Sequence, residues 1–411
     1  MQPPSRNFLV ANARWLGAGY GLTFTSSFGQ TFFISLFAGH IQAAYGLTDG
    51  GWGTLYTVAT LASAAVLFQL GALADRVRLD RLALGVIAAY AAVAAGMAAG
   101  GSSLILLCLL VFGLRLCGQG MMSHLAITAM GRWFRAHRGR AVAIAGLGFS
   151  TGEALLPAVT VALVAAIGWR MTWGAVALVL VLVLAPLFAW LLAEGRTPRG
   201  ATGEDQSVPG LGGHHWRRRD VLGHWAFWAL VPAVLTPSFI GTVIFFHQVH
   251  VSEVKGWELA TMALGYPVYA ALTVSASLTG GWMADRFGAA RMLPVILVPM
   301  GLGMMVVGAV PAVWGWFAGL ALIGLTQGMV QATWGALWPE LYGTRHLGAV
   351  RAMTITAMVF STAIGPGLTG LLIDAGVTLP EQAPAMLAWC LGVSAFLLLV
   401  LRGLRAEAVR S

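Results

Sequence analysis

Charge is scarce in this chain. Only 9% of its 411 residues are Asp, Glu, Lys or Arg, against roughly 25% in soluble domains, so a water-soluble core does not account for it. Cysteine is nearly missing as well. Cys108, Cys117 and Cys390 lie singly inside apolar runs without CxxC spacing, which argues against a disulfide framework or a zinc site. No HExxH, GxSxG or phosphate-loop motif occurs, and no His/Asp cluster shares one membrane depth. Metallohydrolase, serine hydrolase and ATP-driven pump chemistries therefore have no foothold, and the chain is not expected to be an enzyme or to need a cofactor or metal.

What is present is apolar length. Hydrophobic residues make up 58% of the chain, mean hydropathy is +0.80, and glycine is abundant at 53 residues. A membrane-crossing helix needs about 20 mostly apolar residues, and small residues let such helices approach closely in lipid. Twelve spans are read at about 15–38, 51–72, 82–100, 103–130, 140–166, 171–193, 223–250, 258–283, 291–310, 314–337, 350–373 and 384–402. Run length favours helices, because barrel strands would alternate over about ten residues. The first run begins near Trp15 and is long enough to span, so it is read as a span and not as a cleavable leader.

The formal charge of +9 would suggest nucleic acid in a soluble protein. Its placement suggests topology instead. Of 24 Lys and Arg residues, Arg170 and Lys255 fall in one set of connections and Arg115 inside a span, leaving 21 on the other side. The positive-inside bias makes that side the cytoplasm. It holds both termini, so the expected location is the inner (cytoplasmic) membrane. Expected partners are lipid, a small-molecule substrate and protons, with no nucleic acid, and the protein is expected to be a monomer.

An internal repeat organises the spans. Gly71-Ala72-Leu73-Ala74-Asp75-Arg76 returns as Gly281-Trp282-Met283-Ala284-Asp285-Arg286, and Tyr56 returns as Tyr266, both at an offset of 210. Gln119-Gly120-Met121 returns as Gln327-Gly328-Met329 at an offset of 208. Matches in step argue for two equivalent halves, read as residues 1–193 and 223–411 on either side of a cytoplasmic linker, 194–222. That linker carries Gly, Pro and Ser punctuation and the cluster Arg217-Arg218-Arg219.

Twelve spans, a 6+6 repeat and a Gly-x-x-x-Asp-Arg loop after the second and eighth spans resemble the major facilitator superfamily of secondary transporters. The resemblance implies an all-α integral membrane fold of two pseudo-symmetric six-helix bundles. It also implies that the repeated loops gate the swing between open states. Gly71, Asp75, Arg76 and Arg81 match the first copy; Gly281, Asp285, Arg286, Gly288 and Arg291 match the second. The first copy has Arg78 where a second Gly is usual. Leu114-Arg115 with Gly118-Gln119-Gly120 resembles the fourth-span motif, whose Arg is often associated with proton coupling. Arg132-Trp133-Phe134-Arg135 through Ala141, with Gly168-Trp169-Arg170, resembles the monocarboxylate porter and oxalate–formate antiporter branch. In the superfamily fold, spans 1, 4, 7 and 10 line the central cavity.

A charge at the centre of a span costs on the order of 2.5–3.5 kcal/mol, so such residues are read as functional. Arg115 lies 12 residues into the fourth span and Glu153 lies 13 into the fifth. These helices run in opposite directions, which puts both residues near the midplane, and a Glu153–Arg115 pair is expected, with Glu153 the proton-titrating partner. Polar side chains mark the pathway: Thr23, Ser26, Ser27 and Gln30 form one stripe on the first span, joined by Gln119, Thr236, Ser238, Thr242, Gln327 and Gln331 on the others. Substrate binding is assigned to Arg115, Gln119, Gln30, Ser27, Gln327, Gln331 and Thr242, and coupling to Glu153 and Arg115. His247 and His250 read as interfacial. Pro157, Pro237, Pro267 and Pro366 interrupt spans, with Gly365-Pro366-Gly367 as the expected bend. The expected function is proton-coupled symport of a small carboxylate-type anion by alternating access; a proton-driven exporter of drugs or metabolites is the alternative.

Overall fold

The computed structural model describes residues 6–70, 73, 77–134, 138–193 and 208–410. Among these the chain is helical throughout, with no strand. Nine helices are long and apolar enough to cross a membrane, from Asp49–Leu70 to Leu379–Glu407. The other three expected spans fall outside this set for reasons visible in their residues. The first is broken into pieces between Ser26 and Ala38. The ninth shortens to Val298–Ala309, preceded by the single turn Ala289–Met292. The tenth, Trp314–Tyr342, runs 29 residues, but its Gly, Trp and Gln content dilutes its apolar character.

The chain folds as two compact units, Met1–Thr48 with Thr54–Thr202 and Asp49–Gly53 with Gly203–Ser411. The first turn of the second span thus belongs to the second unit, as does the described part of the linker, residues 208–222.

In the first unit a ring-rich core surrounds the C-terminal part of span 1. Phe33 and Phe37 pack on Trp173 with ring centroids 5.5 and 4.8 Å apart, separations at which aromatic pairs add to simple area burial. Spans 1 and 4 cross where two glycines meet: a Cβ at Gly118 would lie 2.6 Å from the Gly29 Cα, and one at Gly29 would lie 2.1 Å from the Leu114 carbonyl oxygen. No larger residue fits at either position.

Prolines act unevenly. Pro157, Pro237 and Pro366 lie inside continuous helices. The expected bend at Gly365–Gly367 does not interrupt Leu347–Asp374. Pro267 falls in the first turn of Gly265–Phe287, after a break at Leu264, where its missing N–H costs nothing. The sharpest break comes instead at Gln30, which no proline marks.

Candidate functional site

Gln30 has an extended backbone (φ −83°, ψ 157°) between the turns Ser27–Gly29 and Thr31–Ile34. Both Phe33 N and Ile34 N bond to the Gln30 carbonyl, so Gly29's carbonyl loses its helical donor. Arg115 takes the vacancy: its Nη1 donates to Gly29 O at 3.1 Å and to Thr31 Oγ1 at 3.4 Å. Unwound carbonyls that hold a cation at mid-membrane are a recurring device of transporters. Tyr56 completes the cradle, with its hydroxyl 2.8 Å from Thr31 Oγ1 and its ring 5.1 Å beneath the guanidinium carbon. Such stacking attracts a desolvated cation.

Arg115 opens a π-helical stretch, Arg115–Met122, that also carries Gln119. Extra-wide turns of this kind concentrate at functional sites. Arg115 is 1% exposed, yet among the described residues its Nε and Nη2 have no partner, and neither do the buried Tyr90 hydroxyl and Ser27 Oγ. Tyr90 belongs to this cluster, since its hydroxyl lies against the Gly29–Gly118 crossing. Sequence reading missed Tyr56 and Tyr90 as site residues. The repeat of Tyr56 at Tyr266 was the signal available for one of them.

The expected Glu153–Arg115 ion pair is not formed. Glu153 is buried at 5% exposure and has no ion pair or hydrogen bond among the described residues. Equal depth on antiparallel helices does not fix azimuth, and the Gly29 carbonyl and Tyr56 ring hold Arg115. Two hydroxyls of the polar stripe on span 1 are bonded to backbone. Thr23 Oγ1 has two acceptors for its one proton, Tyr20 O at 2.9 Å and Ala145 O, and Ser26 Oγ donates to Thr23 O at 2.6 Å. Those hydroxyls satisfy backbone carbonyls. Ser27 packs against Gly152, next to Glu153, and Gln30 stays partly exposed.

The second unit holds the remaining polar candidates. Gln327 Nε2 donates to Pro237 O at 3.2 Å and lies against Gly241, beside the buried Thr242. Gln331 is exposed one turn further on. Thr236 Oγ1 donates to Pro232 O at 2.7 Å and accepts from Trp389 Nε1 at 2.8 Å, which makes it a packing residue. His247 is buried, not interfacial, with its Nε2 2.9 Å from Thr369 Oγ1. Within this unit Asp49 lies 4.0 Å from His247 Nδ1 and 3.5 Å from His250 Nδ1. Among the described residues no group of His, Cys, Asp and Glu could hold a metal ion. On the connection between the seventh and eighth spans, Lys255 Nζ donates to Gly308 O and Val310 O, and partial burial pulls its pKa below the usual lysine value.

Of the repeated loops, Gly71, Asp75 and Arg76 lie outside the described residues. Arg81 is exposed on the third span, Leu79–Ala99, whose start is marked by an Arg78–Asp80 salt bridge of 2.9 Å. In the second copy, Gly288 ends its helix at φ 84°, a conformation that favours glycine. Gly281 is partly buried, Asp285 and Arg291 are exposed, and Arg286 stacks on Trp282 at 5.3 Å. Glu340 faces this loop, near the Ala289 backbone and Asp285.

A multi-pass helical fold with a buried cation held by an unwound carbonyl describes a membrane transport protein, and comparison with known families agrees. The model of the Major Facilitator Superfamily matches residues 19–280 and 256–410, and the chain belongs to that superfamily. It is 26% identical over 370 residues to an uncharacterized 38 kDa protein in a 23S RNA operon of Thermoproteus tenax, with 89% of each chain covered. It is 23% identical over 267 residues to the uncharacterized MFS-type transporter YcxA of Bacillus subtilis (strain 168), covering 63% of this chain and 62% of that one. In fold it is similar to a bacterial homolog of the human lysosomal transporter Spinster, solved inward-facing and unoccupied, with TM-score 0.70, 16% identity, and 99% and 96% of the two chains covered. It is also similar to a mutant form of the nucleoside transporter NupG, with TM-score 0.64, 11% identity, and 96% and 99% covered.

Proposed function

We propose that this transporter moves a small organic anion of carboxylate type across the cytoplasmic membrane, coupled to protons, by alternating access. The observation that carries this reading is the half-used guanidinium of Arg115. One nitrogen is anchored to Gly29 and Thr31, while Nε and Nη2, although buried, stay unpartnered among the described residues. Those two N–H groups lie along one edge of a planar fork, the geometry that takes a carboxylate bidentately. A buried donor without an acceptor is costly, so an anion that reaches this edge gains by pairing with it. Gln119, on the same π-helical stretch, and Gln30 add neutral polar groups, as Gln327, Gln331 and Thr242 do in the second unit.

Glu153 supplies the proton site in this reading, as a buried carboxyl with no cationic partner. The same observation favours a second reading, a proton-driven exporter of cationic or apolar compounds, in which Glu153 attracts the cargo. The repeated loops act as gates in both. A thermal-shift screen of small carboxylates against the purified protein tests the first reading. A stabilising carboxylate should lose its effect with Arg115→Ala and keep it with Glu153→Gln. If only lipophilic cations stabilise, and Glu153→Gln abolishes that, the exporter reading replaces it. In proteoliposomes, uptake by Glu153→Gln should lose its pH dependence; an unchanged profile would remove Glu153 from coupling.

A further inference from the structure

The arginine-rich end of the second unit is built more firmly than a loop region needs to be. Val208 N donates to Thr344 Oγ1 at 2.8 Å, and Thr344 N donates to Val208 O at 2.9 Å. Trp216 lies against His224 and Tyr342, with ring centroids 4.7 and 5.4 Å away. The buried His224 has its Nδ1 3.1 Å from the Tyr342 hydroxyl and its Nε2 3.0 Å from Glu407 Oε1. This clasp ties the linker's end to the seventh, tenth and twelfth spans.

Two indoles are held on the outside of the clasp. Trp225 Nε1 donates to Glu407 Oε2 at 3.2 Å, and Trp228 Nε1 donates to Leu222 O at 2.8 Å. Their rings nonetheless remain 45% and 57% exposed. With their polar atoms engaged inward, they offer only aromatic surface outward, as belt residues do at the level of lipid headgroups.

Five arginines lie on the two elements that hold them. Arg217, Arg218 and Arg219 are exposed on and just before the short helix Arg218–Leu222. Arg402 and Arg405 are exposed on the twelfth helix, either side of Gly403, against which Trp225 packs. Among the described residues none of the five guanidinium groups has an acid partner, because the nearby acids are engaged: Asp220 takes Arg217 N and Glu407 takes His224 and Trp225. The first unit treats the matching place differently. Arg14, 210 positions before His224, is turned inward: its Nε donates to Leu191 O at 3.1 Å and its guanidinium stacks on Trp190. Topology alone calls for arginines on this side; it does not call for five without partners on the elements that hold two immobilised indoles.

We propose that this surface binds the headgroup of an anionic phospholipid, with Arg217–Arg219, Arg402 and Arg405 taking the phosphate and Trp225 and Trp228 lying along the glycerol and upper acyl chains. The test uses the full chain in a neutral detergent, titrated with short-chain phosphatidylglycerol or phosphatidylcholine and followed by Tm and by native mass spectrometry. Phosphatidylglycerol should raise Tm and remain bound, phosphatidylcholine should not, and about 1 M NaCl should remove the difference. The variant with all five arginines changed to Gln should bind phosphatidylglycerol at least ten-fold more weakly, while Arg345→Gln should change it less than two-fold. Equal binding of both lipids, or full phosphatidylglycerol affinity in the five-arginine variant, would overturn the proposal. So would inorganic phosphate alone reproducing the Tm rise, which would mark a general anion site.

Discussion

Tyr56 and Tyr266 occupy equivalent places in the two units, yet Tyr56 pairs with Thr31 beside a buried cation, whereas Tyr266 donates to Gln248 at 2.8 Å. Applying the offset of 208 that relates Gln119 to Gln327, the counterpart of Arg115 is Ile323, fully buried among apolar neighbours. The counterpart of Glu153 is Ser361, whose hydroxyl donates to Leu235 O at 2.9 Å. The repeat has preserved scaffold and kept both buried charges in one copy. Packing constrains both halves alike, but a cation stripped of water is tolerated only where something holds it. The first unit supplies that with a broken helix, a ring and a hydroxyl.

The asymmetry can be attacked from its strongest side first. Ile323→Arg puts a guanidinium where the second unit has no cradle, and should cost about 3 kcal/mol, seen as a collapse in folded yield by size-exclusion chromatography. Next in size, Arg115→Lys should weaken a stabilising carboxylate about 10- to 100-fold, because a point charge cannot reproduce the fork; titration by thermal shift measures it. Gly29→Ala drives a methyl into the Leu114 carbonyl and should cost about 1–3 kcal/mol, read as a fall in Tm. The finest test compares Tyr56→Phe with Tyr266→Phe. Each removes a phenolic hydroxyl from a buried hydrogen bond worth about 1 kcal/mol. Only Tyr56→Phe should also weaken carboxylate binding, by about five-fold; equal effects on binding would erase the distinction between the units.

Span positions could be read from residues because lipid leaves the chain little choice: a long apolar run must become a helix to satisfy its own backbone. Arg115 and Glu153 were visible for the converse reason, as charges where charge is expensive. The groups that hold Arg115 were not. Gln30 breaks its helix without a proline or any turn dipeptide, so nothing in Ser27-Phe28-Gly29-Gln30 announced that a carbonyl would come free. Thr23 and Ser26 share a face with Ser27, but a hydroxyl can bond to its own helix as readily as line a path, and periodicity does not separate the two. The linker's last residues looked like spacer because the residues that fasten them, Thr344, Tyr342 and Glu407, lie more than a hundred positions away.

The anchor of Arg115 has a property that no side chain shares: it is not encoded by the identity of any residue. Every amino acid at position 29 would bring the same carbonyl, so a scan that swaps side chains along this helix reports steric damage at Gly29 and nothing about the acceptor itself. Reaching it calls for chemistry on the main chain. Replacing Gln30 by its α-hydroxy analogue turns the 29–30 amide into an ester, whose carbonyl is a poorer acceptor, and leaves every side chain in place.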